Sequence, residues 1–239
     1  MKKFIVILIG MFFIAVVFSS ALYSSADKEK YPDSPKLHFA VSSPGHYPGY
    51  VYGFGKDFKL YTNFTSNNIG ELGTSFIFAD DMDGDNQPEL LAAAPFSYYG
   101  SYGSTPTESR VLLISSRSGN ALWELFGNIG SGLVYGETVD MVDDMDGDGR
   151  REFLVVSTGE GFTRDGEIFI YSSGTKKLLL HLSGSGGDYF GKSVATTSDM
   201  DGDGINDLIV GSPAYNNFGG MATLFSSLHR KSPETFGIF

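Results

Sequence analysis

The 239-residue chain has no cysteine, one tryptophan, four histidines, and only 17 basic residues against 28 acidic ones. Without cysteine there is no disulfide framework, no thiol nucleophile and no cysteine-linked lipid anchor. Lys and Arg are sparse and unclustered, which excludes a phosphate-binding face, so nucleic acid is not expected as a partner. Beyond residue 26 no segment keeps a 3.6-residue apolar period, which argues against a helical domain. His38, His46, His181 and His229 are scattered and form no His-Glu-x-x-His signature, and no Gly-x-Ser-x-Gly elbow occurs. Gly184-Ser185-Gly186-Gly187 is not followed by a helical pattern and reads as a linker, not a phosphate cradle. Nothing points to an active site, and no enzymatic activity is expected.

One long apolar run is present, over residues 4–18, after Met1-Lys2-Lys3 and before small residues such as Ser24-Ser25-Ala26. It reads as a secretory signal peptide and is short for a membrane span, which takes roughly 20 apolar residues. Residues 1–26 are therefore set apart from the fold. No stable span is expected after cleavage, and the address is secreted or extracellular, with periplasm or cell surface as variants. Loss of Lys2 and Lys3 leaves 15 basic against 28 acidic residues, a net charge of −13.

That acidity is concentrated in three loops: Asp81-Met82-Asp83-Gly84-Asp85-Asn86-Gln87-Pro88-Glu89, then residues 144–152, then residues 199–207. Each has carboxylates at its first, third, fifth and ninth positions and Gly or Asn at the sixth. This layout can gather hard oxygen donors around one divalent cation, for which calcium is the natural occupant. The copies recur at offsets of 63 and 55 residues, so each belongs to a repeated unit. An EF-hand would need a Glu at position twelve, where this chain has Ala92, Val155 and Val210. A plain Asp-Gly turn would not need the ninth carboxylate three times over.

The same frame surrounds each loop. A glycine lies eight residues before it (Gly73, Gly136, Gly191), and Pro95, Thr158 or Pro213 lies fourteen residues after its first Asp. Short apolar runs over 90–94, 153–156 and 208–210 have the length of buried strands. Strand–turn–strand pairs follow over 110–115 and 121–126, and over 167–171 and 177–182. A similar pair precedes them over 50–53 and 58–64. The unit is thus four short antiparallel strands, with the acidic loop joining the first to the second, as in a β-propeller blade.

Phe190-Gly191, the loop from Asp199 to Gly204, and Gly211-Ser212-Pro213 together resemble the FG-GAP repeat, which forms the propeller head of integrin α subunits. The resemblance covers about residues 37–239. It implies an all-β propeller of four-stranded antiparallel blades: a partial blade over 27–70 and repeats over 71–130, 131–186 and 187–239. It further implies about three calcium ions. Asp81, Asp83, Asp85, Gln87 and Glu89 would hold the first. Asp144, Asp146, Asp148, Arg150 and Glu152 would hold the second. Asp199, Asp201, Asp203, Ile205 and Asp207 would hold the third. Gln87, Arg150 and Ile205 would serve through their carbonyls only, and Arg150 with Arg151 makes the second site the weakest expected. Residues 37–44 look like a degenerate half-copy with no metal loop.

Integrin heads imply seven blades, and this chain has fewer than four. A small closed ring, an incomplete product and self-association to complete the ring all fit. The segment Phe96-Ser97-Tyr98-Tyr99-Gly100-Ser101-Tyr102 has the Tyr, Ser and Gly composition of an adaptable binding loop, which makes Tyr98, Tyr99 and Tyr102 candidate partner contacts. The expected function is a secreted calcium-binding adhesion or binding module for an extracellular protein or glycan. A propeller portion of a secreted hydrolase or lyase, or a truncated integrin-like fragment, are its rivals.

Overall fold

The structure is a computed structural model that describes residues 5–9, 12–18, 39–43, 49–55, 58, 60–65, 71–95, 109–127, 133–159, 165–184, 187–226 and 234–237. The chain divides into two compact units, Met1–Phe126 and Gly127–Phe239, each holding two antiparallel sheets.

In the first unit, strands β1 (Ile5–Ile9), β2 (Phe12–Phe18), β3 (Phe39–Ser43), β4 (Tyr50–Phe54) and β5 (Leu60–Thr65) form one sheet in sequential order. The second sheet is β6 (Ser75–Phe78), β7 (Leu90–Ala94), β8 (Arg110–Ile114) and β9 (Ala121–Phe126), again in sequential order. Ala40 and Val51 of the first sheet, with Phe64, pack into one core with Leu90, Ala92, Ala94, Leu112 and Ile114 of the second. Strand β7 is buried along its whole length, which is why it reads as an unbroken apolar run and not as an alternation.

The second unit repeats the plan. Strands β10 (Leu133–Val142), β11 (Glu152–Gly159), β12 (Glu167–Tyr171) and β13 (Leu178–Ser183) form its first sheet. The other is built from β14 (Ser193–Thr196), β15 (Leu208–Ser212), β16 (Met221–Phe225) and β17 (Glu234–Gly237). Leu154, Val156, Ile168 and Ile170 of one sheet pack on Leu208 and Val210 of the other, around Phe190. Phe190 meets Phe225 edge-on at a centroid distance of 5.8 Å. The Phe of the Phe-Gly pair is thus the plug between two sheets.

The four-stranded antiparallel plan, and the strands expected from the repeat, stand in the structure to within two residues, except β11, which runs three residues past its expected end. Within residues 1–26, which the signal-peptide reading sets apart, β1 and β2 form a hairpin, and β2 pairs with β3 through Val16↔Val41, Val17↔Ala40 and Phe18↔Phe39. The physical reason is that Ile, Val and Phe suit a strand, and the edge of β3 offers unpaired backbone groups. A helical turn, α1 (Tyr215–Phe218), also sits in the connection between β15 and β16, where no helix was expected. Among the described residues no helix is long and apolar enough to cross a membrane.

Candidate metal centre

Each acidic loop links the first strand of a sheet to the second: residues 81–89 from β6 to β7, 144–152 from β10 to β11, and 199–207 from β14 to β15. All three fold on one hydrogen-bond frame. Asp81 Oδ1 accepts the Gly84 and Asp85 N–H groups at 2.6 and 3.1 Å, and Asp81 Oδ2 accepts that of Asn86 at 2.9 Å. Asp144 takes Gly147, Asp148 and Gly149 in the same way, and Asp199 takes Gly202, Asp203 and Gly204. The fifth-position carboxylate accepts the seventh N–H in every copy. The ninth reaches back to the second, as in Met82 N–H to Glu89 Oε2 at 2.5 Å and Met200 N–H to Asp207 Oδ2 at 2.8 Å.

These bonds require the chain to curl twice. Asn86, Gly149 and Gly204 at position six have φ of 62°, 85° and 93°, as expected from their type. Position four, which sequence reasoning did not single out, is also left-handed, at 81° in Gly84, 79° in Gly147 and 82° in Gly202. The invariance of glycine there across the three copies was the available signal.

The frame turns the remaining carboxylate oxygens inward. In the first loop one oxygen each from Asp81, Asp83, Asp85 and Glu89 lies within 4.8 Å of the others, and Asp144, Asp146, Asp148 and Glu152 converge likewise. In the third loop only Asp199, Asp201 and Asp207 converge. Asp203 is turned aside, with Oδ2 3.5 Å from Ser226 Oγ. The best-preserved motif therefore gathers the fewest carboxylates. Gln87, Arg150 and Ile205 donate their N–H groups to the fifth-position Asp. Tyr98, Tyr99 and Tyr102 lie outside the described residues.

Electrostatics set the first loop apart. Glu89 is fully buried, and its Oε1 has no hydrogen-bond partner. Burial, reinforced by the charges of Asp83, Asp81 and Asp85, pushes its carboxyl up to about 8. Burial also raises Asp85, and the Gln87 N–H, with Arg117 behind it, partly offsets this. A buried carboxylate with an orphaned oxygen, grouped with three aspartates, is the environment a divalent cation would satisfy, and hard oxygen donors suit calcium. The first loop therefore fits the ion.

In the second loop Glu152 is equally buried, but both its oxygens are engaged, Oε1 by Met145 N–H at 3.3 Å and Oε2 by Ser173 N–H at 2.7 Å. Burial still raises its carboxyl. Asp144, by contrast, is held below the usual carboxylate range, chiefly by the Gly149 N–H. Ser173 belongs to the turn between β12 and β13, and a Cβ on its neighbour Gly174 would collide with Asp148 Oδ2. The turn between the third and fourth strands thus forms the wall of the acidic site. Sequence reading missed this, because it joins residues 21 and more apart in the chain.

Residues 190–225 match the FG-GAP repeat family. The matched stretch contains the third FG-GAP loop, the plug Phe190 and strands β14 to β16. The chain is also similar to integrin alpha-4 of Xenopus laevis, at 29% identity over 178 residues, covering 68% of this chain and 17% of that protein. It is 27% identical over 170 residues to integrin alpha-PS5 of Drosophila melanogaster, covering 65% and 16%. The chain spans about one sixth of the length of the curated relatives it matches. A crystal structure of a eukaryotic initiation factor aligns over 98% of this chain and 62% of that one at 11% identity, but its TM-score of 0.36 carries no argument. The fold is an all-β arrangement of antiparallel sheets, of which one stretch matches the FG-GAP repeat.

Proposed function

We propose that this chain is a secreted, calcium-stabilised FG-GAP β-propeller module that binds an extracellular protein or glycan. The observation that carries the reading is the first loop: four converging carboxylates, one of them buried with an unpaired oxygen, in a chain similar to integrin alpha chains. Asp81, Asp83, Asp85 and Glu89 would hold one ion, with the Gln87 carbonyl. Asp144, Asp146, Asp148 and Glu152 would hold a second, with the Arg150 carbonyl. Asp199, Asp201 and Asp207 would hold a third, joined by Asp203 and the Ile205 carbonyl. When bound, calcium supplies charge neutralisation that lets four carboxylates share one small volume. The protein residues do the rest: backbone N–H groups of each loop hydrogen-bond its carboxylates, as at Asp81, Asp83, Asp85 and Glu89 in the first.

The similarity to integrin alpha chains favours an adhesive role over the enzymatic rival. The ligand-facing candidates are the connections between second and third strands, including Tyr98, Tyr99 and Tyr102. The test is binding of the purified chain to arrays of extracellular matrix proteins and glycans, in excess calcium and in chelator. Calcium-dependent capture of a defined ligand, lost when the three tyrosines are changed to serine together, is the expected result. Turnover of an ester or glycan substrate with no retained ligand would contradict it.

A further inference from the structure

The turn between third and fourth strands is built on the same hydrogen-bond frame in two sheets. Ser115 N–H donates to Asn120 O and Ser172 N–H to Lys177 O, each at 2.9 Å. Gly119 N–H bonds Ser115 O and Lys176 N–H bonds Ser172 O, with φ of 74° and 65° at the two donors. The hydroxyl of the first serine accepts the N–H of Ser118 at 3.3 Å in one turn and of Thr175 at 3.0 Å in the other. Ser115-Ser116-Arg117 and Ser172-Ser173-Gly174 are therefore equivalent positions. A further Ser-Ser pair, 226–227, follows β16 in the sequence, and Ser227 lies outside the described residues.

Strand register brings these serines to the acidic loops. Ile114 pairs with Leu90 and Tyr171 with Phe153, so the chain beyond each runs past Glu89 and Glu152. In the second sheet the contact is direct: Ser173 N–H donates to Glu152 Oε2 at 2.7 Å, and Gly174 lies against Asp148 Oδ2. The hydroxyl of Ser173 cannot be far from the same carboxylate. The second serine of each pair is buried, at 5% exposure for Ser116 and 0% for Ser173, and neither hydroxyl oxygen has a hydrogen-bond partner. An unpaired buried hydroxyl is unfavourable, yet it occurs at this position in both sheets. Packing alone would be served as well by alanine.

We infer that Ser116 and Ser173 present their hydroxyl oxygens to the cation held by the loop of their own sheet, and so set its preference for calcium over magnesium. The inference rests on the proposed calcium reading of the first two loops. Calcium takes about six to eight oxygens in a flexible shell, whereas magnesium demands a near-ideal octahedron and keeps several waters. A neutral oxygen from the turn enlarges the shell without adding repulsion among the carboxylates, which favours the larger ion. The same contact joins the turn of the third and fourth strands to the loop between the first and second, so that all four strands of a sheet meet at one site.

Calorimetric titration of the purified full chain with calcium, and separately with magnesium, tests this. A wild-type chain that binds no calcium would remove the cage reading and this inference with it. Where calcium binds, Ser116→Ala and Ser173→Ala should each weaken it at one loop by on the order of ten- to a hundredfold, and magnesium far less. The calcium-to-magnesium ratio then falls at that loop alone, whereas a serine that only packs would move both affinities together or neither. Ser116→Cys and Ser173→Cys keep the side chain's size and exchange a hard oxygen for a soft sulfur, so they should lose calcium affinity and gain cadmium affinity. The cysteine variants also carry the test if an alanine variant loses its β-sheet circular dichroism. A wild-type ratio in the alanine variants, or cysteine variants without the gain in cadmium, would overturn the inference and leave the calcium cages standing.

Discussion

Glu89 illustrates how a single buried side chain reports on a site. Its carboxyl, ordinarily near 4.5, is raised to about 8 by burial first and by the neighbouring aspartates second. A carboxyl whose folded value lies above its unfolded value destabilises the fold as pH rises between the two, because the unfolded chain releases its proton first. In chelator, the thermal midpoint should therefore fall from about pH 4.5 to about pH 8, and excess calcium should flatten that slope. Glu89→Gln should raise the midpoint in chelator at pH 8, by about 2–4 °C for each kcal/mol recovered in a chain of this size, and should reduce the rise produced by calcium. A midpoint in chelator that does not change across this pH range would refute the assignment of Glu89. Gly174 offers a second test, since it touches Asp148 and no other carboxylate of the loop is within reach of its added methyl group. Gly174→Ala should lower calcium affinity at the second loop and leave the first unaffected, as read by calorimetric titration. Unaltered binding at both loops would remove the hairpin turn from the site.

At the scale of the element, the strands after each loop were the most legible part of the chain. Residues 90–94 are five consecutive apolar residues, too few for a helix, and β7 spans the same residues. The loop register was equally legible, because carboxylates recur at positions one, three, five and nine in all three copies. Less legible was what lies across the sheet. Ser226 beside Asp203, and Ser173 closing on Glu152, join residues 23 and 21 apart, and no local pattern announces them. Phe190 lies between these cases: its place in the Phe-Gly pair marked it, but its role as the plug between two sheets needed the structure. Phe190→Ala should cost about 3–5 kcal/mol, as for other buried aromatics, measured by denaturant unfolding. A loss below about 1 kcal/mol would show that the two sheets of the second unit do not depend on it.

For the whole molecule, composition indicated the class and the repeat gave the plan of antiparallel sheets. The apolar run near the N-terminus satisfies the pattern of a signal peptide and the propensity of a strand at once, and β2 pairs with β3 as the second property allows. Exposure along equivalent strands carries no sequence mark, since Ile209 reads as buried as Leu154 until the two are compared. What ties the scales together is the claim that the acidic loops are cation cages that hold the sheets in order. The most direct measurement is the thermal midpoint of the purified chain at pH 7.5 in excess calcium and in excess chelator. Ligand that binds only the folded state at a hundred times its dissociation constant adds about 2.7 kcal/mol per site, so calcium should raise the midpoint by several degrees. The same midpoint in both solutions would contradict the claim.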